Sequence, residues 1–189
     1  DQAPGPASVA RLMRERVAAF RENMPVITAL ASPALRARHW EQLSALLGTL
    51  LPEDKSLSLQ DMLDAGVGAQ FDTISEVCGR AEKEYALERA LDEMEAEWDA
   101  VQFDLAPYKA TGTFILRRTE EIVARLDDHH IKLQTMKSSP YVAPILDRIR
   151  FWDARLEYIL GMLDEWVRCQ RGWLYLMPIF SSEDIMRQM

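Results

Sequence analysis

The sequence has little cysteine, no long apolar run and no visible signal-peptide pattern. Two cysteines among 189 residues are too few for a disulfide scaffold, and they fit a reducing compartment. No apolar stretch approaches the ~20 residues that a membrane-spanning helix needs, so we expect no membrane partner. Hydrophobic residues nevertheless make up 48% of the chain, which predicts that most of it folds around a core.

Positive charge is also scarce. The chain has 22 Lys and Arg against 30 Asp and Glu, a net charge of −8. Residues 82–99 alone hold eight acids against two bases, whereas residues 1–40 are net positive. An acidic surface repels phosphate, so we expect no nucleic-acid partner. A solvated helix face and a docking surface for a basic partner both fit the acidic run.

Apolar residues recur with helical spacing through most of the chain. The pattern predicts a helix from Ala7 that Pro25 interrupts. It predicts a second helix with Ser32 as N-cap and Pro33 in the first turn. Further helices are predicted at about 58–66, 67–98, 118–136 and 144–177, with another beginning at Ser181.

The spacing changes to that of a β-strand near residue 101. Val101, Phe103 and Leu105 alternate with polar residues, and 111–116 is rich in β-branched and aromatic residues. These two runs predict one hairpin. The predicted fold is therefore mainly α, an elongated antiparallel helical bundle (a rod) with one β-hairpin insertion near 100–117.

The predicted organisation has two parts. Residues 1–57 would hold the N-terminal helices, with 1–6 as a loose lead-in, and 58–189 would form the long-helix bundle that carries the hairpin. The sequence starts without Met and stops just after a helix is predicted to begin. We therefore interpret it as a fragment of a longer protein, truncated at its C-terminus.

No pattern typical of catalysis or cofactor binding is present. A Walker phosphate loop is absent from the sequence, and we expect no catalytic, cofactor or metal residues. His129 and His130 follow two aspartates, but adjacent helical residues point about 100° apart and cannot hold one ion together. A half-buried histidine beside acids is the interpretation preferred here. Cys78 and Cys169 are single thiols at apolar helix positions, with burial and low reactivity expected for Cys78.

Tryptophan and glycine mark the helices. All five tryptophans fall at apolar helix positions and are predicted to be structural anchors where helices cross. The alternative is that they line a cofactor or ligand site. They are Trp40, Trp98, Trp152, Trp166 and Trp173. Gly161 and Gly172 interrupt the longest predicted helix. A close approach by a neighbouring backbone and a flexible soft point are the two explanations, with packing preferred for Gly161 and both kept open for Gly172.

Four blocks of sequence follow one another between about residue 25 and residue 189. They are 32–40 (SPALRARHW), 108–116 (YKATGTFIL), 126–141 (LDDH, then QTM and SPY) and 173–185 (WLYLMPIFSSEDI). Together these blocks resemble the linker region of dynein heavy chains. Met177 departs from that family, which usually has Glu there, and residues 130–133 depart from its commoner I-x-K-x.

The resemblance implies a non-catalytic mechanical lever, the N-terminal part of the linker of a microtubule motor. In that family the linker is a mostly helical rod arching over a ring of AAA+ modules, and it bends and straightens as ATP binds and is hydrolysed in that ring. The fragment itself would hold no cofactor; ATP and Mg²⁺ would bind in the ring, beyond Met189. Its partners would be the ring, the rest of the linker, and the tail with its associated subunits, with microtubules reached only indirectly.

The sequence of the 126–141 block resembles axonemal dyneins more than cytoplasmic ones, which implies a cytoskeletal location in a cilium or flagellum. A lever needs places that dock and release, and both the hairpin tip and the end of the long helix are candidates; ordinary surface is the alternative for each. The candidate docking residues are Asp104, Tyr108, Lys109, Tyr175 and Met177. The competing function is a free-standing helical scaffold or adaptor bundle, and a carboxylate-metal bundle enzyme is a third.

Overall fold

The computed structural model describes residues 5–49, 51, 61, 66–182, 185 and 187. The described chain is mainly α with one antiparallel hairpin, which confirms the predicted fold class; the elongated shape stays a prediction. The elements are α1 (Pro6–Leu30), α2 (Ala37–Leu47), a 3₁₀ turn (Val67–Gln70), α3 (Phe71–Asp99), β1 (Asp104–Pro107), β2 (Phe114–Arg117), α4 (Thr119–Lys137), a second 3₁₀ turn (Ala143–Ile145) and α5 (Leu146–Phe180).

The chain divides into two compact units, Asp1–Ala86 and Leu87–Met189. The division falls inside α3, so this helix contributes its first half to one core and its second half to the other. The boundary predicted after residue 57 lies outside the described residues, as does most of the short helix predicted at about 58–66. Among the described residues, no helix has both the length and the apolar character required to cross a membrane.

The first unit is organised around residues of α2 and α3 that are fully buried, including Leu43, Ile74 and Ala81. The predicted start of α2 at Ser32 is wrong, because the helix begins at Ala37. Ala34 is buried in a turn that precedes the helix, and the backbone N–H of Arg36 donates to Nδ1 of His39 at 3.1 Å. The imidazole therefore satisfies the N–H of the N-cap residue, and Arg36 rather than Ser32 occupies that position.

Helix α1 continues through Pro25, where the sequence predicted an interruption. A proline inside a helix costs about 3 kcal/mol or more, because it removes one N–H and crowds the preceding turn. The turn after Pro25 carries Val26 and Leu30, which are only 4% and 3% exposed in the core of the first unit. Packing of this last turn offsets the local penalty.

The second unit is built on α4 and α5, which run antiparallel. Gln134 near the end of α4 bonds to Asp153 near the start of α5, and Val123 near the start of α4 lies beside Val167 far along α5. The core of the second unit consists of apolar side chains from α3, α4 and α5 that are almost completely buried, among them Leu91, Leu126, Leu133, Ile149, Leu156 and Leu163.

Helix α5 follows the prediction with two adjustments. It begins at Leu146 rather than at 144, after a 3₁₀ turn at Ala143–Ile145 that contains Pro144. The helix then extends past Pro178 to Phe180, rather than ending at Met177.

The glycines of α5 are not explained by packing. No described atom of a neighbouring element lies within 4 Å of the position that a Cβ would take at Gly161 or Gly172. The close backbone approach preferred for Gly161 is therefore wrong, and it does not account for Gly172 either. The soft-point interpretation stays a prediction for both.

Candidate functional site

The hairpin is bonded to α5 by a single glutamine. The Tyr108 N–H donates to the Thr113 carbonyl at 2.8 Å, and hydrogen-bonded pairs alternate along an antiparallel ladder. Leu105 and Leu116 are therefore a non-hydrogen-bonded pair, whose backbone groups point away from the partner strand. The outward groups of Leu116 are satisfied by Gln170. The Leu116 N–H donates to Oε1 at 2.6 Å, and Nε2 donates to the Leu116 carbonyl at 3.0 Å.

Two aromatic contacts accompany this amide bridge. Tyr108, at the turn end of the hairpin, lies against Trp173 with ring centroids 5.1 Å apart and planes inclined by 69°. Phe103, before β1, lies 6.1 Å from Trp166. Both contacts fall within one turn of Gln170 on α5. The hairpin is thus held along about two turns of the helix by an amide and two aromatic pairs.

The structure separates the candidate residues of the hairpin. Lys109 is exposed in the turn, with a positive φ of 48° and its Nζ 5.1 Å from the Tyr108 ring centroid. The sequence predicted Asp104 at the hairpin tip, but it lies at the open end, where it pairs in register with Arg117. Its carboxylate lies 3.7 Å from the Arg118 guanidinium. The hairpin tip therefore presents the Lys109 cation and the half-buried Tyr108 ring, without the expected aspartate.

The end of α5 carries the other candidates. Tyr175 is 73% exposed and Met177 is half-buried. Leu176, Ile179 and Phe180 follow on the same helix with 44%, 44% and 53% exposure. These side chains leave apolar surface exposed at this end of the helix, a feature that interaction sites share.

The five tryptophans differ in burial. Trp40 is buried in the first unit, whereas Trp98, Trp152 and Trp173 are half-buried. Trp166 is 44% exposed, so the core position expected for it is wrong: its indole lies under Phe103 at the surface. The role of all five as structural anchors stays a prediction.

Trp152 belongs to a polar link between α3 and α5. Its Nε1 donates to the Glu95 carboxylate at 2.6 Å, and the Arg148 guanidinium lies 2.9 Å from the same carboxylate and 2.7 Å from Asp92. The hydrogen bond to Asp92, with Glu95, raises the pKa of Arg148. Part of the acidic run is thus paired inside the second unit rather than only solvated.

The two adjacent histidines have different surroundings. His129 is 1% exposed, with Nε2 3.2 Å from the Glu97 carboxylate and its ring edge against Trp98. Burial lowers the pKa of His129, which favours the neutral ring. His130 is exposed and its Nδ1 lies 3.1 Å from Asp153. Across the described ranges, no three His, Cys, Asp or Glu side chains converge as a metal site would require.

A second buried histidine lies in the first unit. His39 is 1% exposed, and its Nε2 lies 3.1 Å from the buried carboxylate of Glu84, which also accepts two hydrogen bonds from Arg38. Burial lowers the pKa of His39, an effect only partly opposed by Glu84. This cluster ties the first turn of α2 to α3 and was not identified from the sequence, where Glu84 is one acid among eight.

The thiols also differ. Cys78 is buried, which raises the pKa of its thiol to about 11 and makes the thiolate scarce. Cys169 is exposed on α5, so its position was wrongly grouped with the apolar ones.

Gln170 could have been recognised in the sequence. It is a polar residue that occupies an apolar position of α5, between Trp166 and Trp173. Such a substitution within an otherwise apolar series indicates a buried hydrogen bond. Its partner could not have been found, because Leu116 is 54 residues away.

Comparison with known proteins agrees with the resemblance. Residues 2–189 match the family described as "Dynein heavy chain, N-terminal region 2". The chain is 42% identical over 186 residues to "Dynein axonemal heavy chain 1" of Mus musculus, covering 98% of this chain and 4% of that protein. It is 38% identical over 186 residues to "Dynein axonemal heavy chain 3" of Homo sapiens, with 98% and 4% covered. It is 40% identical over 178 residues to "Dynein axonemal heavy chain 12" of Rattus norvegicus, with 94% and 6% covered.

The chain thus spans only about one twentieth of the length of these relatives, while the family match covers nearly all of its own residues. The polypeptide belongs to the dynein heavy chain family, of which it represents N-terminal region 2.

Proposed function

We propose that this segment is a non-catalytic lever, the linker element that couples nucleotide-driven changes in an AAA+ ring to displacement of the motor's tail. The observation that carries the proposal is the attachment of the hairpin to α5 through Gln170. A lever must move its contact surfaces together with its long axis, and the amide bridge joins the backbone of β2 directly to a long helix.

The length of α5 supports this role. It comprises 35 residues, which corresponds to about 50 Å at 1.5 Å per residue. The hairpin contacts lie in its second half, which ends in the exposed apolar side chains of the helix end. Force applied to Tyr108 or Tyr175 would therefore be transmitted along one continuous hydrogen-bonded helix.

The relatives are named as axonemal dynein heavy chains, so we propose that the whole protein acts on the cytoskeleton of a cilium or flagellum. ATP and Mg²⁺ would bind in the ring and not in this segment. The ring, the remaining linker, and the tail with its subunits would be its partners, and microtubules would be reached only through other parts of the motor.

The test uses the full-length heavy chain with the double substitution Gln170→Ala and Trp173→Ala, which releases the hairpin from α5. We expect microtubule gliding velocity to fall severalfold while basal ATP turnover stays within about twofold. Gln102→Ala, at an exposed position near the hairpin, is the matched control and should change neither quantity.

Two results would overturn the lever. Loss of nucleotide affinity in proportion to velocity would place the segment in the nucleotide machinery. Unchanged velocity, together with lost assembly of other subunits, would favour the scaffold or adaptor function instead.

A further inference from the structure

Helix α1 exposes a line of apolar side chains that the described chain does not cover. Met13, Val17, Phe20 and Met24 are 59%, 58%, 46% and 40% exposed. They follow one another at steps of four, three and four residues, the spacing of a two-helix seam. We call these four residues the α1 seam.

The α1 seam lies on a helix that is anchored elsewhere. Val26 and Leu30, in the last turns of α1, are buried in the core of the first unit, whereas Val9 and Leu12 near its start are 43% and 51% exposed. In proteins, most helical stability comes from packing of an amphipathic face rather than from intrinsic propensity. An apolar face of this extent, exposed on an anchored helix, is typical of an interaction surface.

Arginines flank the α1 seam on both sides. With Met13 and Phe20 at d positions and Val17 and Met24 at a positions, Arg14 and Arg21 occupy e and Arg16 occupies g. Among the described residues, none of these three arginines forms an ion pair or hydrogen bond. The two glutamates of the helix, at 15 and 22, occupy f, on the far side from the seam.

This charge pattern disfavours a second copy of the chain. In a parallel pair, the g position of one helix faces the following e position of the other, which would bring Arg16 against Arg21. In an antiparallel pair, e faces e, which would bring Arg14 and Arg21 of the two copies together. Like charges across a helix pair are destabilising in both orientations.

We propose that the α1 seam binds an acidic amphipathic helix of a partner protein, with apolar residues at a and d and carboxylates at e and g. Such a helix buries the exposed line and places a carboxylate opposite each of Arg14, Arg16 and Arg21. The apolar contact supplies affinity, and the charges select the partner and its orientation. A lipid surface would instead use the basic amphipathic face without a fixed register.

The probe is a fluorescent peptide of about three heptads with Ile at a, Leu at d and Glu at e and g. Its glutamates prevent self-association. A peptide that differs only in having Lys at e and g is the control. Binding to the 189-residue chain is measured by fluorescence anisotropy, and vesicles of phosphatidylcholine with phosphatidylserine are tested by co-sedimentation.

We expect saturable binding of the acidic peptide, at least tenfold tighter than that of the Lys peptide and weakened by salt. Val17→Ser with Phe20→Ser should abolish binding. Arg14→Glu with Arg21→Glu should reverse the preference between the two peptides, a gain that misfolding cannot produce. Glu15→Gln with Glu22→Gln, on the far face, should change affinity by less than about twofold.

Three results would overturn the proposal. Equal binding of both peptides, or binding of neither, would exclude charge selection at the α1 seam. Self-association of the chain that Val17→Ser with Phe20→Ser abolishes would show that a second copy covers the seam. Vesicle binding with the same sensitivity, in the absence of peptide binding, would identify a lipid surface.

Discussion

Removal of the Gln170 side chain should release the hairpin before the rest of the second unit unfolds. Gln170→Ala deletes both hydrogen bonds to Leu116, a residue only 4% exposed, and leaves its N–H and C=O without those partners. A hydrogen bond contributes about 0.5–1.5 kcal/mol net, so the two together should contribute about 1–3 kcal/mol. A two-stranded hairpin is marginal in water, so the loss should be concentrated there.

Native-state hydrogen exchange measures this local loss directly. A local free-energy change of about 1–3 kcal/mol corresponds to exchange about five- to 150-fold faster for the amides of the hairpin, including the Tyr108 N–H that is bonded to Thr113. Amides in the middle of α2, in the first unit, should change by less than about twofold, because openings of that unit leave the two Gln170 bonds intact. Gln102→Ala should leave all of these rates unchanged.

Equal acceleration in α2 and in the hairpin would refute this account, because the effect of Gln170 would then not be confined to the second unit. Unchanged hairpin exchange would show that the contacts of Tyr108 with Trp173 and of Phe103 with Trp166 hold the strands without the amide.

Two further predictions concern stability. Burial lowers the pKa of both His39 and His129, so the unfolded chain binds more protons than the folded chain below about pH 6.5. The free energy of unfolding should therefore fall as the pH is lowered from about 7 to about 5. Urea titrations whose midpoint stays constant or rises on acidification would contradict this. Trp98→Ala should lower the free energy of unfolding by about 3 kcal/mol, because the half-buried indole packs on the core and on His129. Trp166→Ala should lower it by only about 1 kcal/mol, because Trp166 is 44% exposed. Equal urea midpoints for the two variants would contradict this difference.

Local patterns predicted most of the elements. The alternation at Val101, Phe103 and Leu105 indicated the hairpin, although β1 begins only at Asp104. The three-and-four spacing indicated each long helix to within a few residues, because it reflects one continuously buried face. Errors arose at Ser32 and Pro25, where burial of neighbouring side chains outweighed the local preference of a capping residue and a helix breaker.

The candidate site was only partly accessible to such reasoning. The sequence placed Tyr108 and Trp173 among the residues of interest without indicating that they touch. It also placed Asp104 at the hairpin tip, whereas the strand register puts it at the open end. The register of a hairpin is set by its turn and by which strand faces are buried, so the residues at the end of a strand-like run do not specify it.

What the sequence determined by itself is the succession of helices and the hairpin, together with membership of a family whose ordered blocks it carries. Tertiary structure decided which apolar faces are covered: the residues of the α1 seam and Trp166 have the same spacing as buried residues, yet they remain exposed. It also decided that Glu84 serves His39 and that Gln170 serves Leu116. The physical reason is that periodicity reports the geometry of one element, whereas burial and hydrogen-bond partners depend on residues about 50 positions away in the chain.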